Sequence, residues 1–152
     1  MIQSLQTSVN AVIADGRIGS PVFLRCMMQA RMTETDLVPA IATLTAVANS
    51  WMPSPLERIY VLGSADATQA TATVQYVGGQ TAILSVNRIP DPPAEGINLM
   101  LVGNKGVIYH ETPVGRHRLM NEPLDLHGGK NLVALIERAM TTGKPERERY
   151  EF

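Results

Sequence analysis

A Gly78-Gly79 pair stands between two runs whose side chains change character at every second residue, and this constrains the chain more than any other feature. In the run Ala70 to Val77, Thr71, Thr73 and Gln75 alternate with Ala72, Val74 and Tyr76. In the run Gln80 to Ile89, Thr81, Ile83, Ser85 and Asn87 alternate with Ala82, Leu84, Val86 and Arg88. A period of two is the signature of a strand with two unlike faces. A glycine pair between two such runs specifies a tight antiparallel hairpin. A second pair, Ile97 to Val102 and Val107 to Glu111, meets across Gly103-Asn104-Lys105-Gly106, and Asp91 to Gly96 reads as the loop between the hairpins.

The rest of the chain supplies helices and two more strands. Leu5, Val9, Val12 and Ile13 recur at helical spacing, predicting a helix over 4–15 that ends at Gly16 in a left-handed cap. Pro21 to Met28 suits a strand opening on a proline, where no ladder donor is lost, although its imperfect alternation leaves its inner face open. Leu37, Ile41 and Leu44 predict a helix over 36–50. Pro39 is tolerated only in a first turn, which points to Thr35 or Asp36 as the cap. Glu57 to Leu62 reads as a strand, and Leu132, Leu135, Ile136 and Ala139 predict a last helix over 129–142, closed by Gly143-Lys144-Pro145. Strands mostly in succession, with helices before, between and after, give an α+β fold: an open, largely antiparallel sheet with helices on one face, built as a single domain over 1–152.

A chain of 152 residues with 45% apolar and 18% charged residues has the makings of a proper core. The formal net charge of −1 and the mixed-sign tail Lys144 to Arg149 offer no basic stripe, so no nucleic-acid partner is expected. Cys26 is the only cysteine, which rules out an internal disulfide and favours a reducing compartment. The N-terminus lacks a signal-peptide pattern, and no apolar stretch approaches the roughly 20 residues that span a bilayer. A cytoplasmic protein with no membrane partner is expected, and Met1 directly ahead of the first helix reads as a natural start. The face of Thr71, Thr73, Gln75, Ile83 and Ser85 is polar yet carries almost no charge. Such a face more often meets another sheet or a ligand than water, so these residues are expected to form an interface, most simply in a homodimer.

Several stretches resemble one family. Val12-Ile13-Ala14-Asp15-Gly16-Arg17-Ile18-Gly19-Ser20-Pro21-Val22-Phe23 is similar to the helix, "GxIG-P" turn and first strand that open the C-terminal domain of Gfo/Idh/MocA oxidoreductases. Ala70 to Ala82 resembles their "ATaxxxFxnGxxa" hairpin, Leu101 to Ile108 their "xxGtkGxl" hairpin, and Leu135 to Pro145 their closing "I-tGkp" helix. The matches occur in the family's order and cover most of the chain. The resemblance implies an open-faced domain that contributes substrate contacts and dimerises through its bare face. In that family the nicotinamide cofactor and the lysine of an "EKP" motif belong to a separate Rossmann domain. This sequence holds no GxGxxG turn, and Gly103 to Gly106 is too short and lies between strands. The family's "HxxDL" helix corresponds here to Leu37-Val38-Pro39-Ala40-Ile41-Ala42-Thr43-Leu44, with neither histidine nor acid.

Residues that could still carry chemistry are few. His110 and Glu111 end a predicted strand and His117 follows in the loop, making these three the catalytic candidates. The spacing of His110, His117 and His127 matches no compact metal motif, so no metal is expected. Cys26, among Leu24, Met27 and Met28, reads as a buried, inert thiol. Arg25, Asn87 and Arg88, with Arg31 nearby, are the ligand-binding candidates, since guanidinium and amide groups offer planar, directional hydrogen bonds to an anionic or sugar-like molecule. The alternative for Arg25 and Arg88 is an edge or interface ion pair.

Three functions are compatible with the sequence. The first is a stand-alone, non-catalytic oligomerisation or ligand-binding domain of oxidoreductase-like build. The second is an accessory subunit completed by a separate Rossmann-domain protein. The third is a small cofactor-free enzyme using the open face or the His110 loop. The sequence leans away from an enzyme and implies no cofactor. Calorimetric titration with NAD and with NADP should therefore show no micromolar binding to the isolated protein, and a fitted micromolar isotherm for either would overturn that expectation.

Overall fold

The computed structural model describes residues 2–31, 36–64, 66–90, 96–112 and 133–144. The elements run α1 (Ile2–Ala14), β1 (Pro21–Arg31), α2 (Leu37–Trp51), β2 (Leu56–Leu62), β3 (Gln69–Tyr76), β4 (Thr81–Ile89), β5 (Gly96–Gly103), β6 (Val107–Thr112) and α3 (Val133–Thr142). The chain falls into two compact units, Met1–Arg116 and His117–Phe152. α3 belongs to the second unit, and the first four residues of its expected span, 129–132, lie outside the described residues. The fold is α+β with an open six-stranded sheet, as the alternating runs require.

Strand order is β2-β3-β4-β1-β5-β6. Both expected hairpins are antiparallel: Gln69–Gln75 pairs with Thr81–Asn87, and Ile97–Val102 with Val107–Thr112. The sheet is mixed, because β1 runs parallel to β4 while pairing antiparallel with β5. No turn marks a parallel neighbour, so this pairing has no local signature. In the first hairpin Tyr76 N–H donates to Gln80 O and Gly79 N–H to Tyr76 O, and Gly79 takes φ +88°. Of the Gly78-Gly79 pair, only the second needs the left-handed region.

The faces separate as the alternation predicted. Ala70, Ala72, Val74, Tyr76, Ala82, Leu84 and Val86 are buried, and so are Leu24, Cys26, Leu99 and Leu101 on the flanking strands. α2 packs over β4, β3 and β1, burying Leu37, Ile41, Leu44, Val47, Ala48 and Trp51. Asp36 is its N-cap residue, without a side-chain capping bond, and Pro39 falls in the first turn where its missing N–H costs nothing. Tyr76 reaches from β3 to α2 and donates its hydroxyl to Asn49 Oδ1 at 2.9 Å. α1 packs on α2 through the core around Val9 and ends at Gly16 with φ +73°. No helix among the described residues is long and apolar enough to cross a membrane.

Two sequence motifs turn out to be one structural clasp. The turn 16–20 lies against the β5–β6 hairpin: Lys105 N–H donates to Ile18 O at 2.9 Å and Asn104 N–H to Ser20 O at 3.0 Å. Ser20 N–H returns a bond to Asn104 Oδ1 at 2.9 Å. Ile18 is buried. A Cβ at Gly103 would overlap the Ile18 carbonyl oxygen and carbon, and one at Gly19 would overlap Asn104 Oδ1. Gly103 is therefore required by close approach, not by φ. Gly103→Ala should cost about 2 kcal/mol or more, since backbone must move. Gly79→Ala, strained only by its φ and in open space, should cost about 1 kcal/mol. Urea midpoints at constant slope measure both, and equal losses would show that the clasp does not constrain the hairpin.

Candidate functional site

The sheet face turned away from α2 has no covering element among the described residues of the first unit, and its make-up follows from register. One row across the strands reads Tyr60, Thr73, Ile83, Arg25, Met100 and Tyr109. The adjacent row reads Leu62, Thr71, Ser85, Met27, Asn98 and Glu111. A third joins Gln69, Asn87 and Gln29. In these three rows only Arg25 and Glu111 are charged.

A small polar network occupies the middle of this face. Ser85 is buried, the one polar residue so placed in the core strands, at 5% exposure. Its hydroxyl receives Gln69 Nε2 at 3.1 Å, lies 3.1 Å from Thr71 Oγ1 and approaches Ala70 O at 3.4 Å. Asn87 Oδ1 is buried and accepts no hydrogen bond among the described residues. A buried acceptor without a donor is costly, so this carbonyl is a point of weakness in the network. Arg25 Nη2 lies 3.5 Å from Asn98 Oδ1, a long contact that leaves the guanidinium available at the surface.

The ligand-binding candidates do not converge. Arg25 and Asn87 share the open face, whereas Arg88 points to the other side of β4. There its Nε and Nη2 donate to Ala67 O at 3.2 and 2.6 Å, and its backbone N–H to Thr68 O at 2.7 Å. Arg88 thus pins the turn that leads into β3. The catalytic candidates are also separated: Glu111 pairs with Asn98 on the open face, and His110 pairs with Leu99 on the helix side. His117 lies outside the described residues. No cluster of three metal-ligating side chains occurs among the described residues. α2, where the resemblance would place a histidine and an acid, carries no titratable side chain, and Val38 and Pro39 are its exposed leading residues.

Of the interface candidates, Gln75 and Ile83 are exposed, Thr71 and Thr73 half-buried and Ser85 buried. The face also has an apolar rim beyond the candidates on β3 and β4. Tyr60, Leu62 and Tyr109 are exposed at its two edges, and Met27 joins Ile83 in the middle. The alternation of β2 and β6 carried that signal.

Cys26 is buried on the helix side of the central strand, and burial pushes its thiol up from 9.0 to about 11. A thiol so placed stays protonated and is no nucleophile. Burial likewise pushes the Tyr76 hydroxyl up to about 12. Each group is therefore more protonated in the folded than the unfolded chain above its ordinary value. Stability is unaffected by them below about pH 9 and falls as pH rises toward 11 and beyond. The first part of this alkaline decline should vanish in Cys26→Ala, read as the pH dependence of the urea midpoint; an unchanged curve would assign the decline to other groups.

No family model matches the sequence, and no curated protein matches it. Solved structures do share the fold. A probable dehydrogenase from Thermotoga maritima superposes with a TM-score of 0.59 at 15% identity, over 68% of this chain and 37% of its own. An NAD binding oxidoreductase from Klebsiella pneumoniae gives 0.57 at 16% identity, over 68% and 36%. GenD2 from gentamicin A biosynthesis, in complex with NAD, gives 0.57 at 13% identity, over 94% and 52%. These likenesses show that the chain shares its fold with one part of these oxidoreductase chains, and the matched region spans little more than a third of the first two.

Proposed function

We propose that this protein is a non-catalytic oligomerisation or ligand-binding domain of oxidoreductase-like build, working through its open sheet face. The observation that carries the reading is the composition of that face. Exposed Ile83, Met27, Tyr60 and Tyr109 surround a hydroxyl and amide network with Arg25 in its middle and Arg31 and Arg58 at its margins. A face bound only for water would be expected to carry many more Lys and Glu side chains. A second copy related by a two-fold axis covers it without any other partner, and a stable contact of this kind buries more than about 1,200 Å² in total. The separation of His110 from Glu111, and the tie of Arg88 to Ala67, argue against a catalytic group assembled from them.

A second reading is favoured by one specific finding. The matched region amounts to 37% of the Thermotoga maritima dehydrogenase chain, so a separate nucleotide-binding protein could supply the remainder. That reading makes the protein an accessory subunit, and stoichiometric co-purification of a Rossmann-domain protein with it would select that alternative.

Sedimentation velocity tests the open-face association. Ser85 is buried within its network, so a lysine there would disturb the fold; Ile83 and Met27 are exposed on the same face and serve better. The wild type should be dimeric at tens of micromolar, and Ile83→Lys with Met27→Lys should yield monomers with an unchanged circular dichroism spectrum. A monomeric wild type, or a double variant that stays dimeric, would place association elsewhere.

A further inference from the structure

The sheet has two edges, and they are not alike. β2, at one end, exposes Leu56, Ile59, Tyr60, Val61 and Leu62, apolar residues on both of its faces. Edge strands are ordinarily blunted by lysine, proline, an inward charge or a cover. β2 has a bulge between Leu56 and Arg58, and its charged residues, Glu57 and Arg58, sit together at that end with 4.0 Å between their charged atoms. Ile59 to Leu62 carries no such device. α2 packs over β4, β3 and β1, which leaves Ile59 and Val61 on the helix side uncovered, at 45% and 46% exposure.

The direction of each backbone group in β2 follows from the neighbouring ladder. Tyr76 and Thr68 bond to β4, since Tyr76 N–H donates to Gln80 O and Arg88 N–H to Thr68 O. Alternation then turns Thr71, Thr73 and Gln75 toward β2, as Val77 N–H donating to Pro55 O also indicates. Their partners Leu62, Tyr60 and Arg58 spend their backbone groups on β3. Ile59 and Val61 therefore present N–H and C=O outward, with no partner among the described residues.

From this we infer that β2 is a self-pairing edge: two copies join antiparallel through Ile59 and Val61, about a two-fold axis at Tyr60, to make one continuous sheet. In that register Ile59 exchanges both backbone bonds with the second copy's Val61, and Val61 with the second copy's Ile59. Their four β-branched side chains form one apolar strip on the helix side. Tyr60 meets Tyr60 in the closely spaced non-bonded pair, where aromatic pairs stabilise most. Arg58 faces Leu62, and no charge opposes a like charge. A shift by two residues either way sets Glu57 opposite Val61 or Gly63 opposite Ile59, so the side chains select a single register. This near-palindromic order, Ile-Tyr-Val with its charges confined to one end, fits a second copy of the chain better than an unrelated strand. The inference goes beyond the open-face reading: its backbone bonds come from Ile59 and Val61, whose side chains lie on the helix side, and it shares with the open face only Tyr60 at the axis.

Amide hydrogen exchange at residue resolution tests it, in the wild type and in the Ile83→Lys, Met27→Lys background where open-face contact is removed. Between low micromolar and several hundred micromolar protein, the Ile59 and Val61 amides should slow roughly tenfold while Tyr60 and Leu62, already bonded to β3, change little. Val61→Pro removes one outward donor and Ile59→Lys places charge in the strip; each should abolish the concentration dependence and leave open-face dimerisation intact. Ile59 and Val61 amides that exchange fast at every concentration, or slowly at every concentration, would overturn the inference. So would concentration dependence that survives both substitutions.

Discussion

The sheet depends on β1 and on the ladders it makes along both of its edges. To one side Phe23–Arg31 runs parallel to Thr81–Ile89, and to the other Pro21–Gln29 runs antiparallel to Gly96–Gly103. Without it, β2–β3–β4 and β5–β6 are two separate meanders with no common backbone bond. Its partners are distant in sequence, so the loop-closure cost of the ladders must be met by burial. Leu24, Cys26 and Ala30 supply it on the helix side. α2 follows β1 and packs on it as well as on β3 and β4, sharing one core with Leu24 and Cys26, so the strand that joins the halves also receives the helix that covers them. The clasp of Ile18 and Ser20 on Asn104 and Lys105 fixes the entry to β1 against the hairpin it is about to pair with.

How much of this was legible depended on whether the information was local. The hairpins at Gly79 and at Gly103 to Gly106 were, because alternation and turn chemistry are written within a few residues. The inner face of β1 was not. Phe23 and Met27 on the open side are as apolar as Leu24 and Met28 on the other, so alternation does not distinguish the two faces. β1 also runs three residues beyond its expected end at Met28, because Gln29, Ala30 and Arg31 continue the parallel ladder with Asn87, Arg88 and Ile89. β2 illustrates the opposite confusion: Ile59-Tyr60-Val61-Leu62 reads like an interior strand and lies at an edge. The candidate residues divide similarly. Alternation alone sets His110 and Glu111 on opposite faces, a signal that was present. The engagement of Arg88 by Ala67 O was not present, because it depends on where the turn before β3 brings a carbonyl.

The open face is polar by hydroxyls and amides, not by charge, and this has energetic content. Exposed ion pairs such as Arg17 with Asp15, at 2.8 Å, contribute little to stability and are replaced by water at small cost. Thr71, Ser85 and Gln69 satisfy one another, so bringing an apolar surface down on them leaves few unpaired groups behind. Asn87 Oδ1 is the exception in this network. A face of this kind tolerates dehydration over most of its area.

The lone thiol has a use that follows from its position in the central strand. Cys26 is screened on both edges by paired strands and lies in the core under the α2 layer. A thiol reagent can reach it only when that region of the sheet opens. The natural sequence thus carries its own clock for the opening of its most interior ladder, readable by labelling rate without any substitution.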